Sequence, residues 1–360
     1  MYWFAPDETG RRFVEALRAR ATEGVDVFVL VDGFGSLAGA AMFDELTAGG
    51  ISVRWFHPLA PWTKGFQLSQ VGMRDHRKIL VIDGKTAFVG GINITDRSEP
   101  WHDYSARVNG LAAHELRTLF FDTWLRLRGP EPRRLPPVRP RSRKELRRQA
   151  RAQLGLRPRR GFVHRPSSRL SEEDTARCVV PDPQVHGHPS WTAHHTIRHL
   201  YLRRIHDAQH RILIENAYFV PDALVRRALE RAARRGVDVH VLVPEVSDLP
   251  SVALASRAAY RKLMESGVHI HFWTHGMLHA KTAVIDGWAT LGSYNLDYRS
   301  LLYNLEVNVA TTNDGFVEEL AANILADRAA SREIGLAAWK ERPFWTKCIE
   351  WVAYRFRKWL

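Results

Sequence analysis

The chain has 360 residues, of which 45% are hydrophobic and 25% charged. This is enough for two ordinary domains and excludes a disordered or fibrous chain. A formal charge of +13 points to an anionic partner such as phospholipid, nucleic acid or another phosphate ester. Two cysteines, Cys178 and Cys348, with no Cys-x-x-Cys pair, exclude a disulfide framework and fit a reducing compartment.

The first segment, WFAPDETGRRFVEALRARATEGVDVFVLV (3–31), contains an extended aromatic piece, Pro-Asp, a helical stretch, Gly-Val-Asp-Val and an apolar strand. FVPDALVRRALERAARRGVDVHVLV (219–243) has the same order. GISVRWF (50–56) then corresponds to GVHIHFW (267–273), and Gly72-Met73 to Gly276-Met277. Strands alternating with helices of this length predict an α/β domain, here present twice, side by side about a pseudo-twofold axis. Ahead of its Phe-Val-Pro-Asp, the second copy carries an extra helix and strand start, HTIRHLYLRRIHDAQHRILIENAY. The first copy is therefore expected to be shortened at its N-terminus. The expected organisation is a first domain over 1–127, an Arg/Pro-rich linker over 128–175 with a short helix at 142–154, a second domain over 176–335 and an amphipathic C-terminal helix over 336–360. His194, His195 and His199 in HHTIRH read as helix-surface residues.

The doubled chemistry lies in DHRKILVIDGKTAFVGGINITD (75–96) and LHAKTAVIDGWATLGSYNLDYRSLLYNLE (278–306). Both read His-x-Lys-x4-Asp-Gly followed by a Gly-rich turn ending in Asn. Each apolar run predicts a strand that turns at Asp-Gly and returns as a second strand. Alternate residues of a strand share a face, so His76 projects with Lys78 and His279 with Lys281. Asp83 and Asp286 fall at the strand ends, where a carboxylate can hold the turn or pair with a cation. The chain has 9 Lys against 43 Arg, yet both motif cations are Lys, which favours a compact ammonium over a planar fork. Asp103 and Glu306 each lie 27 residues after their motif histidine and are candidates to hold imidazole Nδ1, with the pairing left open.

Two imidazoles, two ammonium groups and turn-held asparagines around one pocket suit phosphodiester chemistry. One histidine attacks phosphorus, and the other protonates the leaving alcohol and activates the acceptor. Lys78, Lys281, Asn93, Asn295 and Ser293 are the candidates to bind the phosphate oxygens. No metal or other cofactor is expected, since the motifs lack a clustered ligand set.

These motifs resemble those of the phospholipase D superfamily. With VLVDGFGS (29–36), NAYFVPD (216–222) and GSYNLDYRSLLYNLEVN (292–308), the chain is most similar to bacterial cardiolipin synthases. The resemblance implies two phospholipase D-like α/β sandwich domains with the active site at their interface. It also implies a phosphatidyltransferase joining two phosphatidylglycerols, or phosphatidylglycerol and another phospholipid, with release of the head-group alcohol through a phosphohistidine. By it His76, Lys78, Asp83, His279, Lys281 and Asp286 are catalytic, with His76 as nucleophile and His279 as acid/base or the reverse. The alternatives are a phospholipase D hydrolysing phospholipids, or a nuclease, against which no nucleic-acid module is evident.

The chain closes with PFWTKCIEWVAYRFRKWL, in which Trp345, Ile349, Val352, Phe356 and Trp359 recur at helical spacing among basic residues. This suits a lipid–water interface; packing of that face on the second domain is the competing reading. Trp62 and Phe66 in LAPWTKGFQ (59–67) are candidates to line a lipid entrance. No run of eighteen apolar residues exists, and MYWFAPDETG lacks the regions of a signal peptide. Peripheral association with the cytoplasmic side of the cell membrane is the expected location.

Overall fold

The computed structural model describes residues 1–59, 66–127, 183–187 and 195–359. The predicted linker with its helix, Cys178, His194 and Trp62 lie outside them. The first half comprises α1 (Glu8–Thr22), β1 (Phe28–Asp32), α2 (Ala40–Ala48), β2 (Ser52–Phe56), β3 (Arg74–Asp75), β4 (Lys78–Ile82), β5 (Thr86–Gly90), β6 (Ser105–Asn109) and α3 (Leu111–Trp124). The second half opens with β7 (Gln184–Gly187), α4 (Thr196–Asp207), β8 (Arg211–Asn216), α5 (Ala223–Arg234), β9 (Asp238–Pro244), α6 (Pro250–Met264) and β10 (His269–Trp273). It continues through β11 (Lys281–Ile285), β12 (Trp288–Gly292), α7 (Tyr298–Leu302), β13 (Asn304–Leu305), β14 (Val307–Thr311) and α8 (Asp314–Ala330). It closes with β15 (Arg332–Glu333), α9 (Leu336–Glu341) and α10 (Phe344–Arg355).

The repeated Pro-Asp marks a helix start in both halves. Asp7 accepts the Gly10 amide at the head of α1, and Asp222 accepts the Leu224 amide at the head of α5, each satisfying an otherwise orphaned N–H. Parallel pairing of β1 with β2, and of β8 with β9 and β9 with β10, leads into antiparallel β4–β5–β6 and β11–β12–β14.

The second half forms one sheet in the order β15-β10-β9-β8-β11-β12-β14-β7. Ile197, Tyr201, Leu229 and Leu263 from α4, α5 and α6 bury one face over Ile212, Val239 and Ile270. Val317, Leu320 and Ile324 of α8 cover the other over Leu213 and Val284. A sheet covered on both faces explains why β11 and β12 are apolar without alternation. The halves share a core, in which Val89 and Val108 pack with Leu291, Val307 and Val309.

The halves differ at one strand. β8 lies between β9 and β11 and bonds to both. Among the described residues no strand lies between β1 and β4, so the first sheet is split into β1–β2 and β4–β5–β6. Residues 1–4 fill only one end of that place. The Met1 ammonium donates to Leu30 O (2.8 Å), the Asp32 amide to Met1 O (3.0 Å) and the Ile94 amide to Trp3 O (3.0 Å). On β4, Leu80 and Ile82 are exposed, whereas Ala283 and Ile285 on β11 are buried.

Candidate active site

The two halves meet through exchanged backbone. β3 pairs in parallel with β13, so that the His76 amide donates to Leu305 O (3.0 Å). At the equivalent place the His279 amide donates to His102 O (2.8 Å), and the His102 amide to Met277 O (2.9 Å). Each motif histidine thus hangs from the chain end that carries the other half's carboxylate, Glu306 after Leu305 and Asp103 after His102. The side chains pair accordingly: His76 Nδ1 lies 3.1 Å from the Glu306 carboxylate, and His279 Nδ1 lies 2.6 Å from Asp103 Oδ2. The equal 27-residue spacing is internal to each half, but the partnership crosses between them.

The surroundings hold these pairs still. The Ser300 hydroxyl donates to Glu306 (2.8 Å), as does Asn304 Nδ2 (3.3 Å). Asp103 accepts the Tyr104 amide (2.8 Å). Gly91 lies against Asp103, where a Cβ would stand 2.3 Å from Oδ1, so only glycine leaves room for this carboxylate. Beneath His76, Asp32 accepts the Asp75 amide (2.9 Å), and Arg77 grips Asp75 with two bonds of 2.7 and 2.6 Å.

Lys78 and Lys281 are buried, and each ammonium donates to the carbonyl of its own motif histidine. Burial pushes the Lys78 ammonium down to about 7 and that of Lys281 to about 8, against the pull of Glu306 and Asp103. Burial likewise lowers His76 from its ordinary value, and holds His279 at about 3 with the adjacent Lys281 charge assisting. Each motif's lysine also acts on the other motif's histidine, as one shared pocket requires. Burial opposes the charge on Glu306, but His76, the Lys78 charge and the Ser293 hydroxyl outweigh it and hold the carboxyl at about 2. Asp103 is lowered against its burial by Lys281 and His279. The resting pattern is therefore two neutral imidazoles, each donating Nδ1–H to a carboxylate, which leaves Nε2 as a lone-pair base.

The other predicted site residues separate into two groups. Asn93 and Asn295 are buried at equivalent positions, each with an Oδ1 that has no hydrogen-bond partner among the described residues. Three candidates take other places. The Ser293 hydroxyl donates to Glu306 and accepts the Val307 amide (3.0 Å), so it braces the carboxylate and is not free for phosphate. Asp286 closes the β11–β12 turn with φ 47° and accepts the amides of Gln209 (2.8 Å), His210 (3.0 Å) and Arg211 (2.9 Å). Asp83 is exposed at the matching turn with φ 54°, a conformation Asp tolerates. Both aspartates sit at the strand ends remote from the lysines. Of the two roles open to them, Asp286 takes that of holding the turn, against the amides that lead into β8.

Sequence reasoning missed the aromatic walls. The Tyr2 ring lies 4.9 Å from His76, and Trp101 and Tyr218 lie 4.8 and 6.1 Å from His279. The doubled aromatic piece before each Pro-Asp was the available signal. His195 and His199 are exposed at the first turn of α4, away from this chemistry.

A curated cardiolipin synthase from Geobacillus thermodenitrificans is 30% identical over 356 residues, 96% of this chain and 64% of its own length. Another from Clostridium perfringens is 28% identical over 349 residues, 95% of this chain and 67% of its own. The chain thus spans under two thirds of the first relative's length. Among solved structures, phosphatidylserine synthase from Haemophilus influenzae superposes with a TM-score of 0.65 at 13% identity, covering 100% of this chain and 90% of that one. Polyphosphate kinase from Porphyromonas gingivalis does so at 0.51 and 14% identity, covering 91% and 44%. At these identities the likeness is one of fold. The sequence profile described as "Cardiolipin synthase, PLD-like domain" matches residues 1–111 and 201–328, the two halves that bring the His-Lys motifs together. The chain belongs to that family, within the phospholipase D superfamily.

Proposed function

We propose that the chain is a phosphatidyltransferase that makes cardiolipin from two phosphatidylglycerols and releases glycerol. The observation that carries this reading is the pair of crossed imidazole–carboxylate contacts, 3.1 and 2.6 Å, in the common field of two buried lysines. One imidazole Nε2 attacks phosphorus while the P–O bond to glycerol breaks, and the other imidazole, protonated in the complex with the anionic substrate, gives the leaving oxygen its proton. The same base then takes the proton of the second phosphatidylglycerol's hydroxyl, whose oxygen attacks phosphorus as the P–N bond breaks. Lys78, Lys281 and the amides of Asn93 and Asn295 hold the non-bridging oxygens. An anionic phosphodiester also relieves the burial that depresses both lysines.

Association with a bilayer is part of the proposal. Trp345, Ile349, Val352, Phe356 and Trp359 form one stripe along α10 and its C-terminal turn, between 49% and 78% exposed. The opposite side packs inward. Glu350 is buried and paired with Arg342, and Ala353 and Tyr354 pack against the cluster containing Tyr218 and Val252. Trp339 belongs to the second domain's core, so the exposed stripe begins only after Pro343. Phe34 and Leu37 after β1, and Val246 and Leu249 after β9, are also exposed. These apolar side chains, in loops that follow β1 and β9, are further candidates to meet lipid. No described helix is long and apolar enough to cross a membrane.

The test uses purified protein with phosphatidylglycerol vesicles and, separately, plasmid DNA. Cardiolipin and glycerol in equal amounts, abolished in His76→Ala and in His279→Ala, support the reading. Phosphatidic acid as the main product assigns a hydrolase instead, and DNA nicking a nuclease. Substantial cardiolipin formation by either variant overturns the mechanism. Peptide mapping of acid-quenched enzyme locates the phosphohistidine.

A further inference from the structure

On the side of the 101–104 segment away from Asp103, three side chains from three elements converge. They are His102, which precedes β6, Glu215 in β8 and Asp327 in α8. One ligand atom of each lies within 4.8 Å of the other two. His102 Nε2 is 2.7 Å from Asp327 Oδ2. Two hydroxyl groups steady the carboxylates from outside: Tyr104 donates to Asp327 (2.9 Å) and Thr282 to Glu215 Oε2 (2.9 Å). The remaining oxygen of Glu215, in a residue fully removed from solvent, has no hydrogen-bond partner among the described residues.

A buried carboxylate oxygen facing a second carboxylate with no donor between them requires something positive there, either a proton or a cation. The donor set of one imidazole nitrogen and two carboxylates, with outer hydroxyls orienting the ligands, is one that Zn²⁺ or Mn²⁺ accepts. The His102 and Asp327 side chains are 32% and 14% exposed, which leaves an entry path.

We propose that His102, Glu215 and Asp327 bind one divalent transition-metal ion that clamps the first half to β8 and α8 of the second. The ion takes no part in phosphoryl transfer. Its effect is positional, because the segment it pins carries Asp103, the partner of His279.

The experiment strips the full chain with a chelator, dialyses it against Zn²⁺ or Mn²⁺ alone, and measures bound metal and the melting midpoint. The expected result is one ion per chain and a midpoint raised by the ion. Affinity should fall at least tenfold in His102→Gln and in Asp327→Asn, and stay unchanged in the surface control His195→Ala. Replacement with Co²⁺ should give a visible absorption band that both site variants lose, a signature that a general loss of stability does not mimic. No stoichiometric ion in folded wild-type protein means that a proton fills the site and overturns the proposal. Binding undiminished in both folded site variants overturns it equally.

Discussion

Glu306→Gln removes one charge from the centre of the crossed arrangement while keeping the shape. Glu306 accepts from His76 Nδ1 at 3.1 Å, and also from the Ser293 and Ser300 hydroxyls and Asn304 Nδ2. In the proposed mechanism His76 takes a proton or a phosphoryl group, and its ring then becomes cationic. At 3.1 Å and an effective dielectric constant near 20, the carboxylate stabilises that charge by roughly 5 kcal/mol. An amide keeps one acceptor but loses the charge, and its NH2 confronts donors already in place. We expect kcat to fall roughly 10²- to 10⁴-fold, with KM little changed. Glu306 is also the largest charge supporting the Lys78 ammonium, so Lys78 should titrate below about 7 in the variant. Activity that needs the ammonium is then lost at lower pH than in wild type. Initial rates of cardiolipin formation across pH, with circular dichroism to verify folding, decide the matter. A folded variant within fivefold of wild type throughout would refute the role given to this carboxylate.

Gly91→Ala places a Cβ where Asp103 Oδ1 now stands, 2.3 Å away, and should cost about 10²-fold in rate in an otherwise folded protein, by displacing the His279 partner. Ser293→Ala removes a donor to Glu306 and should slow turnover about tenfold without weakening substrate binding, if the hydroxyl braces the carboxylate and does not touch phosphate. Replacing Trp345, Ile349 and Phe356 together with Ser should leave the melting midpoint in place yet reduce binding to anionic vesicles by about tenfold or more per residue, at roughly 1.5–3 kcal/mol for each apolar side chain buried in lipid. Stability should rise with pH from about 8 to 10.5 in ligand-free protein. Lys281 titrates near 8 when folded against 10.5 when unfolded, so between these values the unfolded chain holds the extra proton and raising pH removes that advantage. Denaturant midpoints across this range should climb in wild type and climb about half as steeply in Lys281→Met, where Lys78, held at about 7 when folded, still contributes.

Much of the fold and of the site is legible in the sequence because the chain describes itself twice. The doubled Pro-Asp announces two helix starts, the β-branched runs before Asp-Gly announce two strand pairs, and the His-x-Lys register puts four side chains on shared faces. These features are local, set by capping, strand alternation and turn conformation, and so they survive in one dimension. The same local logic could not rank the two uses of Asp83 and Asp286. Nor could it see that Ser293 turns its hydroxyl to Glu306, since that depends on a strand 14 residues away.

The sequence by itself therefore determined the repeat, the histidines and lysines, the two candidate carboxylates and a terminal helix with an aromatic stripe. Tertiary structure alone decided that His76 answers to Glu306 and His279 to Asp103, because each pairing joins residues more than 170 positions apart through strand ends exchanged between the halves. It alone decided which side of α10 faces inward, and it alone brought His102, Glu215 and Asp327 together. The physical reason is common to all three. Spacing along a chain fixes which residues share a strand or helix face, whereas contact between elements is set by how those faces bury one another.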